Sequence, residues 1–413
     1  TLYNDGGTLN VAGTIDVDTY GIGGSSGSNV NHTYNGAVGF LSNLTFDSLN
    51  VGGAGTGAFT HSDGSTLGLT DLRIGVDSGG NGTYNLGGTS NLTAANETIG
   101  NSGTGTFTHS GGTNAISNGL FIGNNGGSSG TYSLSDTGTV SATDEYVGRY
   151  GTGSFAQTSG TNTVSNRLYL GTYSGASGTY DLSGSSDVSA NIFYFGNAGT
   201  GEFNQSGTST ATTNELWLGY YSGGNASYNL SETGSLSATD ETIGRSGTGT
   251  FNQTGGTNTV TNMHLGENAG SNGTYNLSGG TNTVTNDLTI GQNSGSSGTY
   301  TISGGTLDVT GSIVDGAGNS TLNNNGGTLN VGGTMDVDTY GLGITSGSNV
   351  SHNTATTPNY TFDNLNVGGS GTGAFTHSDG STVSLTNLSL GINAGGSGTY
   401  NLGGTSNLTA ANE

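Results

Sequence analysis

The chain has 413 residues, of which 84 are Gly, one is Pro and none is Cys or Lys, and 27 acidic residues against four Arg give a formal net charge of −23. The lack of Cys excludes a disulfide scaffold and the usual zinc-finger spacings, and the lack of basic clusters excludes nucleic acid and anionic membrane surfaces as favoured partners. No apolar run approaches the roughly 20 residues of a membrane-spanning helix, so we expect no membrane insertion.

A tripeptide Gly-Thr-Gly recurs at a constant step, starting at Gly55, Gly103, Gly151, Gly199 and Gly247. Each step contains two similar halves, because an aromatic residue follows every Gly-Thr or its equivalent. These aromatic residues are Phe59, Tyr84, Phe107, Tyr132, Phe155, Tyr180, Phe203, Tyr228, Phe251, Tyr275 and Tyr300. The repeat unit is therefore about 24 residues long and alternates between a Phe type and a Tyr type. Two successive units form a doublet of about 48 residues.

Three short strands are predicted in each unit, in the order in which the chain passes through it. The first strand carries the aromatic residue. The second carries an apolar column at a step of about 24 residues, namely Leu92, Ile116, Val140, Val164 and Val188, continued by Leu236, Val260 and Val284. The third ends at an apolar residue followed by Gly, namely Ile74, Ile99, Ile122, Val147, Leu170, Phe195, Leu218, Ile243, Leu265 and Ile290. Apolar residues at period two, separated by Gly, Ser and Asn, favour strands over helices.

Stacking of the units is what the energetics require. One unit buries about four or five apolar side chains at roughly 1.5–3 kcal/mol each, which does not offset about 1–2 kcal/mol of backbone entropy per residue. Copies of the unit that stack on one another add strand hydrogen bonds and cover each other's apolar residues. We therefore predict an all-β fold, a parallel β-solenoid (β-helix) of about 24 residues and three short strands per turn.

A longer period lies above this unit, and it makes the chain a single predicted solenoid over residues 1–413. Asn4–Gly23 recurs with few changes as Asn324–Gly343, and Gly82–Glu97 recurs word for word as Gly398–Glu413. The chain thus holds one super-repeat of about 316–320 residues and the start of the next. Residues 20–43 and 340–360 depart from the pattern and are predicted to be loop insertions at one corner.

The first and last residues fall inside the pattern. Thr1 is not preceded by Met or by a basic leader segment, and Glu413 lies in the middle of a unit. We expect the sequence to be part of a longer chain, or its ends to meet neighbouring subunits in end-to-end self-association, because an uncapped solenoid exposes strand edges.

Two carboxylate clusters are candidates for binding calcium, the one cofactor that the sequence suggests. Glu215 and Asp240 are predicted to lie on adjacent turns with Glu241 beside them, and like charges at that spacing repel unless a cation bridges them. The Asp-Val-Asp segments at Asp16/Asp18 and Asp336/Asp338 form the second candidate. Solvent-facing or structural carboxylates are the alternative for both, since the glycine-rich calcium-roll motif is absent.

The histidines give no support for catalysis. His61, His109 and His377 stand in Phe-Thr-His-Ser segments, and Gln157, Gln205 and Gln253 take the equivalent places in other units. Gln can replace His as a hydrogen-bonding side chain but not as a general base, so a structural role is expected. No Ser-His-Asp motif or phosphate loop is present, and we predict that the chain is not an enzyme.

A cluster of aromatic residues is the candidate site for a glycan or a cell surface. Tyr169, Tyr173, Trp217, Tyr220 and Tyr221 lie within a few units of one another and could stack on sugars. A glycan-active enzyme acting through paired carboxylates at Glu215, Asp240 and Glu241 is a further alternative, as is ice binding through Thr-Asn-Thr segments such as 161–163.

The runs GTGTFNQTGGTNTVTN (Gly247–Asn262) and GSSGTYTISGG (Gly295–Gly305) resemble the Gly/Thr/Asn-rich repeats of large bacterial surface proteins, including autotransporter passenger domains and secreted adhesins. The resemblance covers nearly the whole chain. It implies a β-helix at the bacterial cell surface or outside the cell, with roles in filaments, biofilm matrix or adhesion. We therefore expect an extracellular structural solenoid forming a shaft, fibre or filament, with a carbohydrate- or cell-binding adhesin passenger domain as the alternative.

Overall fold

The computed structural model describes residues 1–6, 15–34, 44–353, 359–378 and 380–413. The regular structure in these ranges is all β, without a helix, and confirms a parallel β-solenoid of about 15 turns spaced roughly 24 residues apart. Since it contains no helix, the described part of the chain has no helical segment that could cross a membrane. The chain divides into two compact units, Thr1–Thr213 and Asn214–Glu413.

Eighteen of the described strands lie wholly in the first unit, and a nineteenth begins there. They are β1 (Leu2–Asn4), β2 (Ile15–Ile22), β3 (Asn29–Tyr34), β4 (Leu44–Val51), β5 (Thr56–His61), β6 (Thr66–Gly68), β7 (Asp71–Ile74), β8 (Asn81–Leu86), β9 (Asn91–Ile99), β10 (Thr104–His109), β11 (Thr113–Ile122), β12 (Ser129–Leu134), β13 (Thr139–Val147), β14 (Thr152–Gln157), β15 (Thr161–Leu170), β16 (Ser177–Leu182), β17 (Asp187–Phe195), β18 (Thr200–Gln205) and β19 (Thr210–Leu218).

The remaining described strands belong to the second unit. They are β20 (Asn225–Leu230), β21 (Ser235–Ile243), β22 (Thr248–Gln253), β23 (Thr257–Leu265), β24 (Asn272–Leu277), β25 (Thr281–Val284), β26 (Leu288–Ile290), β27 (Ser297–Ile302), β28 (Thr306–Val309), β29 (Ile313–Asp315), β30 (Asn319–Asn324), β31 (Thr328–Val331), β32 (Met335–Leu342), β33 (Asn349–Asn353), β34 (Asn359–Val367), β35 (Thr372–His377), β36 (Thr382–Leu390), β37 (Ser397–Leu402) and β38 (Asn407–Asn412).

Most of the described strands pair in parallel with the corresponding strands of the turns before and after them. Strand β10 lies between β8 and β12, so that Phe107 is opposite both Tyr84 and Tyr132. The predicted second and third strands run together in most turns. Strand β9, for example, pairs with β6 along its first part and with β7 along its last part. A change of register between Ile116 and Gly119 marks the bend inside the long strand β11.

The core is built from columns of side chains that point inward at every second strand position. The predicted aromatic column is confirmed within each of the two compact units. Its rings are fully buried, and neighbouring rings are stacked with centroids 4.6–5.3 Å apart. The predicted column that precedes the repeated Gly is also confirmed, since Ile74, Ile99 and Ile122 stand in register. Stacked aromatic pairs of this kind add about 0.5–1.5 kcal/mol each beyond area burial.

The Gly that follows this last column closes each turn. Gly100 has a φ of +70°, and a Cβ built on it would lie 2.1 Å from the carbonyl oxygen of Ser129 in the next turn. The position therefore needs a residue without a side chain for two reasons, the left-handed backbone and the close approach of the neighbouring turn.

The predicted column of Leu92, Ile116 and Val140 is wrong in its register. The residue between Leu92 and Val140 in the structure is Asn114, while Ile116 is paired with Ala94 of the preceding turn. The same displacement places Asn162 between Val140 and Val188. A constant step of about 24 residues aligns the apolar residues with one another, whereas the real steps in this column are alternately shorter and longer than that value.

The two predicted loop insertions are partly strands of the ladder. Within residues 20–43, β3 pairs with β5, and within residues 340–360, β33 pairs with β35. His352 takes the aromatic place there and stacks on Phe375 at 5.2 Å, so a search for Tyr and Phe alone could not detect the turn. Residues 35–43 and 354–358 lie outside the described part of the chain.

Candidate functional sites

An outer groove of about 190 Å³ in the second unit contains two of the three predicted calcium ligands. Glu215 and Asp240 both line it, together with Trp217, His264 and Glu267. The indole Nε1 of Trp217 donates to Glu215 Oε2 at 2.9 Å, and Asn262 Nδ2 donates to Asp240 Oδ1 at 2.7 Å. Each carboxylate is thus stabilised by a neutral donor, which is what a solvent-facing structural carboxylate needs.

Glu241, the third predicted ligand, does not belong to this groove. Successive residues of a strand point to opposite faces, so Asp240 faces the groove while Glu241 is fully buried in the core. There its Oε2 accepts a hydrogen bond from Asn258 Nδ2 at 3.0 Å. The structure therefore separates the predicted calcium cluster into two outer carboxylates, Glu215 and Asp240, and one inner carboxyl group, Glu241.

The Asp-Val-Asp candidate is held by the protein's own donors in the second unit. Asp338 Oδ2 accepts the backbone N–H of Ser320 at 2.9 Å. Burial, followed by the charges of Asp338 and Asp336, raises the pKa of Asp315 to about 6. The carboxylates repel one another there, yet the described residues contain no group of three His, Cys, Asp or Glu arranged to hold a metal ion. In the first copy, the side chain of Asp16 lies outside the described part of the chain.

The predicted aromatic site is largely occupied by contacts within the protein. Tyr169 is stacked between Tyr146 at 4.8 Å and Tyr194 at 5.1 Å, so both faces of its ring are covered. Tyr173 stacks on Tyr150 at 4.2 Å. A sugar binds an aromatic ring through its face, and Tyr169 therefore offers only a ring edge.

The aromatic residues of the second unit surround an arginine. The guanidinium of Arg245 lies 5.1 Å from the ring of Trp217 and 4.3 Å from that of Tyr220, and its Nε is 3.6 Å from Glu267 Oε2. Cation–π contacts of this geometry hold the rings in place. Tyr221, by contrast, is 53% exposed and perpendicular to Tyr220.

A polar cluster that the sequence did not predict lies inside the core of the first unit. Glu97, Asn114, Tyr132 and His109 are all fully buried. Asn114 Nδ2 donates to Glu97 Oε2 at 2.9 Å and contacts the Tyr132 hydroxyl at 3.3 Å. His109 Nδ1 lies 2.8 Å from the same hydroxyl, and its Nε2 lies 3.2 Å from the carbonyl oxygen of Gly112. The hydroxyl donates to Nδ1 and Nε2–H donates to Gly112, which is the pattern of a neutral imidazole.

The cluster recurs one doublet later along the chain with glutamine in place of histidine. Asn162 Nδ2 donates to Glu145 Oε2 at 2.9 Å and to the Tyr180 hydroxyl at 3.0 Å. The hydroxyl donates to Gln157 Oε1 at 2.6 Å, and Gln157 Nε2 donates to the carbonyl oxygen of Gly160 at 2.9 Å. One end of the amide accepts and the other donates, as in neutral histidine, which explains why the two residues interchange. The second unit holds the same arrangement at Glu241, Asn258, Tyr275 and Gln253.

Burial controls the protonation of these groups. It raises the pKa of Glu97 and of Glu145 to about 8, opposed only in part by the amides of Asn114 and Asn162. It lowers the pKa of His109 to about 4. All three groups are thus uncharged near neutral pH, as expected for ionisable groups without an ion partner in a low-dielectric core.

This cluster was not predicted from the sequence, because the predicted columns align apolar residues across the turns. A signal for the cluster is nevertheless present in the sequence. Glu97, Glu145 and Glu241 recur at whole multiples of the doublet. The equivalent positions in adjacent turns are the leucines Leu72, Leu120 and Leu168. A charged residue that recurs in an apolar column is buried with a partner or defines a site.

No protein-family model, no curated protein and no solved structure matches the chain at a significant level.

Proposed function

We propose that the chain is a structural β-solenoid of the bacterial cell surface or extracellular space, which serves as a shaft or fibre. The observation that carries this proposal is that the apolar residues of one turn are covered by the turns on either side of it. Leu86 is 1% exposed on β8, which lies between β5 and β10, and Phe107 is fully buried between Tyr84 and Tyr132. Such a fold gains stability by adding turns in one direction.

The outward-facing residues add to this proposal. Carboxylates such as Glu215 and Asp240, and rings such as Tyr169, are engaged by neighbouring donors or rings of the same chain. The contacts of Asp240 and Tyr169 therefore connect adjacent turns of a scaffold. The resemblance to Gly/Thr/Asn-rich surface proteins supplies the cellular location in this proposal.

Removal of one doublet tests the proposal. Deletion of residues 104–151 joins Gly103 to Thr152 and restores a Gly-Thr-Gly junction. A shaft should fold normally, remain on the cell surface and lose two turns, or about 10 Å of reach at about 4.8 Å per turn. Electron microscopy of labelled cells measures the reach. Deletion of the single turn 104–128, which breaks the Phe/Tyr alternation, is the control. An isolated soluble particle in the native source would refute the fibre.

A glycan- or cell-binding adhesin is the second candidate, and it is favoured by the exposed ring of Tyr221, which packs edge-on against Tyr220 beside Trp217. A glycan array probed with the intact chain should then give a defined set of sugars, with the signal lost in Tyr221→Ala and kept in Tyr169→Ala, whose ring faces are already covered. An array without binding would dismiss this candidate and leave the structural proposal intact.

A further inference from the structure

Two buried carboxyl groups of the first unit have one oxygen without a partner. Glu97 Oε1 and Glu145 Oε1 are inaccessible to solvent and accept no hydrogen bond, although Oε2 of each residue accepts one from an asparagine. The amide oxygens of the same asparagines, Asn114 Oδ1 and Asn162 Oδ1, are also buried and without a donor. Each site thus contains two partnerless acceptors on side chains that are already joined by one hydrogen bond.

One proton at each site gives both partnerless oxygens a hydrogen-bond partner. A carboxylic acid that is protonated on Oε1 can donate to Oδ1 of the asparagine, while the asparagine Nδ2 donates to Oε2. The pair then forms a closed ring of two hydrogen bonds, and no buried charge remains. Leaving an ionised carboxylate in a dry core without a cation would cost several kcal/mol.

The described residues around the two groups supply no positive charge. Along the strand ladder, Glu97 lies between Leu72 and Leu120, and Glu145 lies between Leu120 and Leu168. The titratable groups that face them are three tyrosines and one histidine, Tyr84, Tyr132, Tyr180 and His109. Burial keeps Tyr132, Tyr180 and His109 uncharged near neutral pH, because it raises the pKa of the two tyrosines and lowers the pKa of His109 to about 4.

Elsewhere in the first compact unit, both the buried glutamate and its asparagine partner are missing. Glu97 and Glu145 each stand seventh in their strands, and the seventh residue of β17 is Phe193. Asn162 stands second in its strand, and the second residue of β19 is Ala211. The acid and the amide are therefore both replaced, by Phe193 and Ala211, which are also fully buried. Joint replacement is expected if a buried acid is stable only with its amide partner and the amide only with the acid.

We propose that Glu97 and Glu145 are held in the core as neutral carboxylic acids, each paired through two hydrogen bonds with Asn114 or Asn162, and that these protons make the first unit sensitive to alkali. Deprotonation breaks one hydrogen bond of the ring and leaves a charge facing the amide oxygen. The turns that carry β9 and β13 then open.

The direction of the pH dependence follows from proton linkage. Burial raises the pKa of both groups from 4.5 to about 8. The stabilisation is complete below pH 4.5 and is lost as the pH rises towards 8, because the unfolded chain releases these protons first. Between pH 6 and pH 8 the opening constant of each turn should rise roughly 50-fold per carboxyl.

The variant Glu97→Gln/Glu145→Gln tests the proposal, because glutamine Nε2 can donate to the asparagine Oδ1 as the acid does but does not titrate. Amide hydrogen exchange in β9 and β13, corrected for the intrinsic rate, should show protection that falls between pH 6 and pH 8 in the native chain and stays level in the variant. Glu202→Gln, which replaces an exposed carboxylate on β18, is the control and should keep the native fall. An equal fall in the double glutamine variant would overturn the proposal.

Infrared spectroscopy of the native chain provides a readout that does not depend on how a variant folds. The carbonyl stretch of protonated carboxylic acids should be present at pH 6.5, where free glutamate is ionised, and should disappear as the pH rises through 8. Absence of this band at pH 6.5 would refute the neutral acids. A protection factor that responds to sodium or calcium at fixed pH would show a cation-bound carboxylate instead and would also overturn the proposal.

Discussion

Substitution of Phe155 by tyrosine tests why successive turns of about 24 residues alternate between a Phe type and a Tyr type. Phe155 is fully buried and stacked between Tyr132 at 4.7 Å and Tyr180 at 4.6 Å. The hydroxyls of these tyrosines reach back to the residue that ends the aromatic strand of the preceding turn, which is His109 for Tyr132 and Gln157 for Tyr180. A tyrosine at position 155 would reach back to Leu134, which is apolar and 1% exposed.

The hydroxyl introduced by Phe155→Tyr would therefore be buried without a partner. The asparagine that contacts a tyrosine hydroxyl elsewhere is also missing, because Val140 takes the place that Asn114 and Asn162 occupy in their own turns. An unsatisfied buried hydroxyl costs about 1–3 kcal/mol, and crowding of the added oxygen adds to this cost. We expect Phe155→Tyr to lower the thermal midpoint and to reduce hydrogen-exchange protection in β12, β14 and β16.

The double variant Leu134→Gln/Phe155→Tyr provides the matched test. The Oε1 atom of the glutamine introduced at position 134 would accept the new hydroxyl as Gln157 accepts that of Tyr180, so the double variant should recover about half or more of the loss. Leu134→Gln alone should be destabilising, because its amide would lack the tyrosine. If Phe155→Tyr is as stable as the native chain, or if the two substitutions are additive, the pairing between turns does not explain the alternation.

Three further outcomes follow from the structure. His109→Gln should gain stability relative to the native chain as the pH falls from 6.5 to about 4, because burial lowers the pKa of His109 to about 4 and the unfolded native chain binds this proton first; the difference between the urea midpoints of the variant and the native chain should show the gain. Gly100→Ala should destabilise the fold because its Cβ would lie 2.1 Å from the Ser129 oxygen, whereas Gly126→Ala, with no atom within 4 Å, should leave the thermal midpoint nearly unchanged. Asp315→Asn should raise the thermal midpoint at pH 7 by relieving repulsion with Asp338 and Asp336, and should have no such effect at pH 4, where the raised pKa of about 6 leaves Asp315 protonated.

The parts of the fold that were predictable from the sequence are those in which one residue type recurs at nearly constant spacing. The aromatic column and the Ile99 column repeat almost without exception, and both stand in the predicted register. The period of two also identified the strands, since the inward and outward positions differ in polarity at nearly every step.

The interior polar residues were not predictable in the same way, because polar residues were assumed to face outward. The predicted apolar column placed Ile116 between Leu92 and Val140, whereas Asn114 holds that inward position and Ile116 is buried two residues further along β11. Glu241 was assigned to an outer cation site for the same reason. Sequence pattern reveals which face is buried only where that face is apolar.

The sequence predicted Glu215 and Asp240 on adjacent turns, and both line one groove, which also contains Trp217 of the predicted aromatic set. The position of Arg245 against Trp217 and Tyr220 was not predicted, although Tyr220 and Arg245 each follow the repeated Gly of their turns and Arg149 takes the same place beside Phe121 and Tyr146.

The buried clusters also give a physical reason why the chain repeats in doublets and not in single turns. A tyrosine hydroxyl in the core needs an acceptor, and His109 or Gln157 provides it from the preceding turn. If every turn carried both a tyrosine and a glutamine, each core layer would contain a hydroxyl and an amide to be satisfied. In the alternating arrangement, the aromatic strand of a Phe-type turn carries a phenylalanine and the acceptor, His or Gln. The aromatic strand of a Tyr-type turn carries the tyrosine and a leucine. Each turn therefore contributes only one of the two polar groups. In the turns from β10 to β16 the doublet thus halves the buried polar groups and keeps the aromatic column continuous, and a stacking shift by a single turn would leave the hydroxyls of Tyr132 and Tyr180 facing a leucine.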